Sequence, residues 1–127
     1  KIAAVAHGFT GVVLDNQQHI AIHAREQSHL PDDSRIRINE MQRAFDGILT
    51  GIIADGIADG SLRVADVRVT ALALAGMIIW AHSWYRPDGR IAPARIAEGM
   101  VRNALAMVGA EAEAEQVLAQ LRFTGLV

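Results

Sequence analysis

Apolar and polar positions along this chain recur at helical spacing, and no stretch alternates for long enough to make a useful strand. Lys1 to Leu14 places Ile2, Val5, Phe9, Val12 and Val13 on one helical stripe. Gly8 and Gly11 weaken that helix by ~1 kcal/mol each against Ala, and they let another helix or a ligand come close. Asn16 to His29 predicts a second helix with thin apolar content: Ile20, Ala21, Ile22 and Ala24 among mostly polar neighbours. Such a helix lies on the surface or lines a cavity. Asp33 to Asp59 is the long third helix, carried by Ile36, Met41, Phe45, Ile48, Leu49, Ile52, Ile53 and Ile57. Asp32 and Asp33 suit its positive end, and Gly60 supplies its stop. After a short link, Asp66 caps a fourth helix that runs to Tyr85 or Arg86. Ala92 and Pro93 open a fifth, with Ile96, Ala97, Met100, Val101, Ala104, Leu105 and Val108 on its apolar face. Gly109 ends it, and Ala112 to Arg122 forms a short last helix. The pattern therefore predicts an all-α domain of five to six helices, with short connections that favour antiparallel neighbours.

The fourth segment stands out. Between Arg68 and Arg86 lie 17 residues without Asp, Glu, Lys or Arg, and Pro87, Asp88 and Gly89 then turn the chain. A helix that is apolar on nearly every side needs cover on every side. A chain of 127 residues covers only part of it, and a second copy is the simplest source of the rest. The segment also sits at the short limit for a membrane span, but Thr70, His82, Ser83 and the small residues lower its hydrophobicity. It reads as a core helix, with no membrane partner.

Composition narrows the function. Hydrophobic residues are 51%, charged residues 20% and the formal net charge is −2, which suits one domain with a real core. The single Lys and scattered Arg residues do not make a nucleic-acid surface. With no Cys, there is no disulfide, thiolate nucleophile or Cys-based zinc site, in keeping with a cytoplasmic protein. No signal peptide is visible, and the chain, which does not start with Met, reads as a piece of a longer protein.

Catalysis finds no support, and the expected protein is not an enzyme. Ser28, Ser34, Ser61 and Ser83 lack a nucleophile-elbow context, and no glycine-rich phosphate loop follows a strand. His19 and His23 share a helix face at a spacing that metal ligands use, yet no surrounding motif supports a metal site. No metal and no cofactor is expected.

The run from Asp55 to Leu105 resembles the C-terminal half of a TetR-type transcriptional regulator. Three features carry the resemblance: Gly60-Ser61-Leu62-Arg63 after a long helix, with Asp66 starting the next; Trp84-Tyr85-Arg86-Pro87-Asp88-Gly89 closing the fourth; and Ala92-Pro93 opening an amphipathic helix that ends near Gly109. The Trp-Tyr-Arg-Pro-Asp-Gly ending is similar to a subgroup whose effectors are often acyl-CoA or other lipid-like thioesters. The resemblance implies a bacterial repressor's ligand-sensing and dimerisation domain, controlled by a small apolar or acyl-CoA-like effector. It implies a homodimer formed through a four-helix bundle of Asp66–Arg86, Ala92–Val108 and their copies. It also implies that operator DNA is read only by an N-terminal helix-turn-helix domain, which this chain lacks. Residues 1–127 would then form one ligand-binding and dimerisation domain. The rival expectation is a free-standing helical module that binds a partner helix or a hydrophobic ligand, with no DNA role.

Within that frame the ligand-binding candidates are Phe9, His23, Gln27, Met41, Phe45, Met77, Trp80, Trp84 and Arg86. Met and aromatic residues at these spacings also serve as plain core. Trp80 and Trp84, at i and i+4, fit interface packing as well as a pocket wall. Arg86 either complements the end of its helix or holds a phosphate or carboxylate. The expected dimer contacts are Ala71, Ala75, Ile79, Trp84, Ile96, Met100, Ala104 and Met107, across an interface on the order of 2,000 Å² or more.

Overall fold

The computed structural model describes residues 1–26 and 32–123, and no strand occurs among them. In order come α1 (Ile2–Asp15), α2 (Gln17–Glu26), α3 (Asp32–Ala58), α4 (Val67–Ile79), α5 (Ala81–Trp84), α6 (Pro93–Met107) and α7 (Ala114–Phe123). A 3-10 turn at Glu111–Glu113 leads into α7. Positions 27–29 of the expected second helix lie outside the described residues.

The expected helix from Asp66 to Arg86 is divided at Trp80. Ser83 directs both its backbone N–H, at 2.9 Å, and its hydroxyl, at 2.7 Å, to the Trp80 carbonyl. That i to i+3 bonding tightens one turn and separates the single-turn α5 from α4. The start of α4 follows the sequence closely: Asp66 is extended, and its carboxylate accepts the Val69 N–H at 3.0 Å. The start of α6 does too, with Pro93 in its first turn.

The helix at the centre is α1, not the long uncharged segment. Among the described residues α1 packs against each of the other six helices, most extensively against α6. Small side chains make this possible: Ala3 and Ala6 are buried, with Ile2, Val13 and Leu14 beside them. Thr10 is fully buried, and its hydroxyl is satisfied by the Ala6 carbonyl at 2.7 Å. Gly8 and Gly11 do not mediate the close packing, because a Cβ at either would meet nothing within 4 Å. Among the described side chains of α3, Leu49 and Ile53 are fully buried, while Ile36, Ile48 and Ile57 of its expected apolar stripe are exposed.

The far end of the bundle is closed by glycine chemistry. Gly109 has φ +75°, and the Ala110 N–H returns to the Leu105 carbonyl at 2.8 Å, which ends α6 in a Schellman turn. Arg63, in the α3–α4 link, donates its N–H to the Val108 carbonyl at 2.7 Å, so the link is seated on that turn. Outside α6, Arg102 pairs with Glu98 at 3.2 Å and Glu115 at 2.6 Å, and Arg122 pairs with Glu98 at 3.0 Å. These four charges clamp α7 over the polar side of α6. Arg102 holds the Glu115 carboxyl below its ordinary range, and the two carboxylates raise Arg102.

Candidate functional site

The α4 segment has two apolar faces and the protomer covers one. Ala71, Leu74, Ala75 and Ile78 turn inward and are buried. Val69, Leu72, Ala73, Gly76 and Trp80 lie on the opposite side at helical spacing, all exposed: Val69 is 61% exposed, Leu72 46% and Trp80 64%. The centre of this stripe is small. A Cβ on Gly76 would meet nothing within 4 Å in the protomer. Next to α4 lies α6, whose outward side offers Gly99, Asn103 and Ala106 before the Glu98–Arg102 cluster begins. Together they make a shallow two-helix surface, apolar along α4 and polar at its α7 border. A patch of this kind on a water-soluble fold marks an interaction surface. Val67–Trp84 also has the length and mean hydropathy, 1.3, of a membrane-crossing helix, but one of its faces packs against α1, α3 and α6.

Of the eight expected dimer residues, five are taken up by the protomer's own core. Ala71, Ala75, Ile96, Met100 and Ala104 are all buried, Ala104 completely. Ile79 and Met107 are half-buried, and Trp84 is 43% exposed. For Ala71 and Ala75 the reason is the rotation of α4 about its axis, while Ile96, Met100 and Ala104 lie on the buried side of α6, which packs extensively against α1. The positions at 71 and 75 and those at 69, 72, 73 and 76 all lack polar side chains, and packing against α1 and α3 turned the first set inward. Sequence reasoning had not singled out Val69, Leu72 and Ala73, which the protomer leaves exposed. Their own 3.6-residue spacing was a usable signal, but nothing local ranked it above its rival.

The expected ligand residues fall into separate groups. Phe9 of α1 and Phe45 of α3 meet with ring centroids 4.5 Å apart and planes tilted by 38°, an aromatic contact that draws α3 against α1. Both are half-buried, as is Met77, and all three pack against the core. Trp84 and Arg86 share a different place, a cleft of about 230 Å³ at the α5–α6 corner. Tyr85, Arg90, Ile91 and Ile96 complete its walls, and sequence reasoning had not singled out the first three. Trp80 lines neither group: it projects from the α4 stripe, with the His82 ring edge-on at 5.8 Å. Gln27 and the side chains of His23 and Met41 lie outside the described residues.

One side chain joins the polar second helix to the apolar fourth segment. The Gln17 amide donates to the His82 carbonyl at 2.8 Å and to the Tyr85 carbonyl. Those are end-of-helix acceptors of α5 with no later turn to fill them. α2 is thus tied at its first residue to the end of α5. Among the described residues no group of three metal-ligating side chains gathers.

An all-helical bundle with a long third helix, a capped apolar fourth segment and an amphipathic helix after a Pro-Asp-Gly turn defines a class of sensor domains found in transcription regulators. Residues 1–108 match the family described as the tetracyclin repressor-like C-terminal domain, and the chain belongs to that family. Neither a curated protein nor a solved structure matches the chain. Domains of this family are the ligand-binding and dimerisation parts of transcription regulators, and they bind small molecules and pair with a second copy. The match ends at Val108, so α7 lies beyond it.

Proposed function

We propose that residues 1–127 form the effector-binding and dimerisation domain of a cytoplasmic transcriptional repressor, whose operator is contacted by a helix-turn-helix segment N-terminal to this chain. The observation that carries the dimer is the exposed apolar stripe of α4, from Val69 to Trp80, set beside α6. Two copies related by a two-fold axis would lay these stripes together as a four-helix bundle, an isologous contact. Small residues at Ala73, Gly76, Gly99 and Ala106 would let the helix axes approach, and the Trp80 rings would supply the anchors.

The effector is a small apolar or acyl-CoA-like molecule seated among α1 to α4, beside the Phe9–Phe45 pair. Half-buried aromatic rings, beside an α3 whose Ile36 and Ile48 are exposed, support an apolar ligand there. Such a ligand acts by preferring one arrangement of the dimer over another. DNA-reading heads on a dimer must meet major grooves about 34 Å apart, so a modest rotation at the bundle is enough to lose the operator. The Gln17 tie gives α2 a direct mechanical hold on the end of α5, next to the seam.

Native mass spectrometry of the purified chain tests both parts. A dimer mass, with an apolar small molecule retained at gentle activation, is the expected result. A monomer at micromolar concentration would sink the dimer reading, and a ligand-free dimer that also ignores added acyl-CoA and fatty acids would sink the effector class.

A further inference from the structure

The cleft at the α5–α6 corner is lined by none of Phe9, Phe45 or Met77 and has a chemistry of its own. Its walls are apolar: Trp84 and Tyr85 from the end of α5, Ile91 from the following turn and Ile96 from α6. Its mouth is cationic. Arg86 and Arg90 both line it, both are exposed, and neither has an ion-pair partner among the described residues. The turn between them is tight. Gly89 donates its N–H to the Arg86 carbonyl at 2.9 Å, and a Cβ at Gly89 would lie 3.0 Å from that same oxygen. Asp88, between the arginines in sequence, does not line the cleft. Beyond Ile91, α6 begins with no side-chain cap and no acidic residue in its first turn, so its positive end is uncompensated. Two cationic side chains therefore line an apolar floor on which Trp84 and Ile91 are each 43% exposed, and the positive end of α6 follows Ile91 directly in the chain.

We propose that this cleft binds a compact amphipathic anion, with its carboxylate or phosphate head held by Arg86 and Arg90. An aromatic ring or short acyl chain would lie against Trp84, Tyr85 and Ile91. Guanidinium groups make their strongest hydrogen bonds to such heads. A nucleic-acid backbone would need a longer track of basic groups than two arginines beside an apolar wall. The volume, about 230 Å³, lies below the usual ~300–1,000 Å³ of sites for drug-sized ligands, which restricts the body to one or two rings. The site stands independently of the dimer and of the effector beside Phe9 and Phe45.

Isothermal titration calorimetry decides the matter. The purified chain is titrated with 2-naphthoate, phenyl phosphate, 2-naphthalenemethanol and inorganic phosphate, and so is the double variant Arg86→Gln with Arg90→Gln. Both arginines are exposed, so the variant keeps the fold, checked by circular dichroism. At least one aromatic anion should bind the original chain at one site per copy, more tightly than the neutral alcohol or inorganic phosphate. The variant should bind it at least about tenfold more weakly. The tighter of the two aromatic anions identifies the head group. Equal affinity for the alcohol, equal affinity for inorganic phosphate (an adventitious ion only), unchanged binding in the variant, or no binding by either aromatic anion would each overturn the proposal.

Discussion

Trp80→Ala is the sharpest test of which face of α4 pairs. A Trp presents about 150–250 Å² in all, and Trp80 is 64% exposed, so ~100–160 Å² of it is free for a partner. At ~25 cal/mol per Å² that surface contributes about 2.5–4 kcal/mol per ring when covered. A two-fold dimer covers two rings, about 5 kcal/mol at the low end. Ordering and desolvation costs reduce such area estimates, and halving the low figure leaves about 2.5 kcal/mol, near a hundredfold in Kd. The protomer itself should lose little, because most of the ring is not in its core. Sedimentation velocity over a wide concentration range measures the dimer Kd for the original chain, for Trp80→Ala and for Ile36→Ala. Ile36 is also exposed but lies on α3, away from the stripe. The expected result is a weakening of at least about fiftyfold for Trp80→Ala and no change for Ile36→Ala. A dimer whose Kd moves less than tenfold on losing Trp80 would refute the assignment of the seam to this face.

Four further expectations follow from local geometry. Asp66→Ala should lower stability by about 1 kcal/mol in thermal or urea unfolding, through loss of the bond to the Val69 N–H, while Asp66→Asn should retain most of it. Gly51→Ala, in the interior of α3 with open space at its Cβ, should stabilise by up to ~1 kcal/mol. Gly109→Ala should destabilise, since φ is +75° and the new Cβ would sit 3.1 Å from the Arg63 carbonyl. The carboxyl of Asp59 is held below its ordinary range, chiefly by the Ser61 hydroxyl and then by the Ser61 N–H. A depressed folded pKa contributes stability above the unfolded value and loses it as pH falls through the folded one. Carbon-detected NMR titration should therefore show Asp59 titrating below a free Asp in the original chain and moving up in Ser61→Ala. Identical titration curves in both would show that the hydroxyl does not hold the carboxylate.

Much of the architecture was legible along the chain, because its causes are local. Helical periodicity, the Asp66 cap, Pro93 in a first turn and the glycines at 60 and 109 act within one or two turns, and all are found where the pattern put them. The uncharged run from Val69 to Tyr85 likewise announced that α4 needs cover from more than one side. Tertiary structure decided which side is which. Two stripes without charge compete on α4, and packing against α1 and α3 turned Ala71, Leu74, Ala75 and Ile78 inward. It also moved the centre of the bundle to α1, whose buried Ala3 and Ala6 allow close approach. The pairing of Phe9 with Phe45, and the meeting of Arg86 with Arg90 over Trp84, depend on contacts and turns whose outcome no single stretch encodes. Hydrophobicity says how much surface a segment must hide; the direction in which it hides is set by the neighbours it finds.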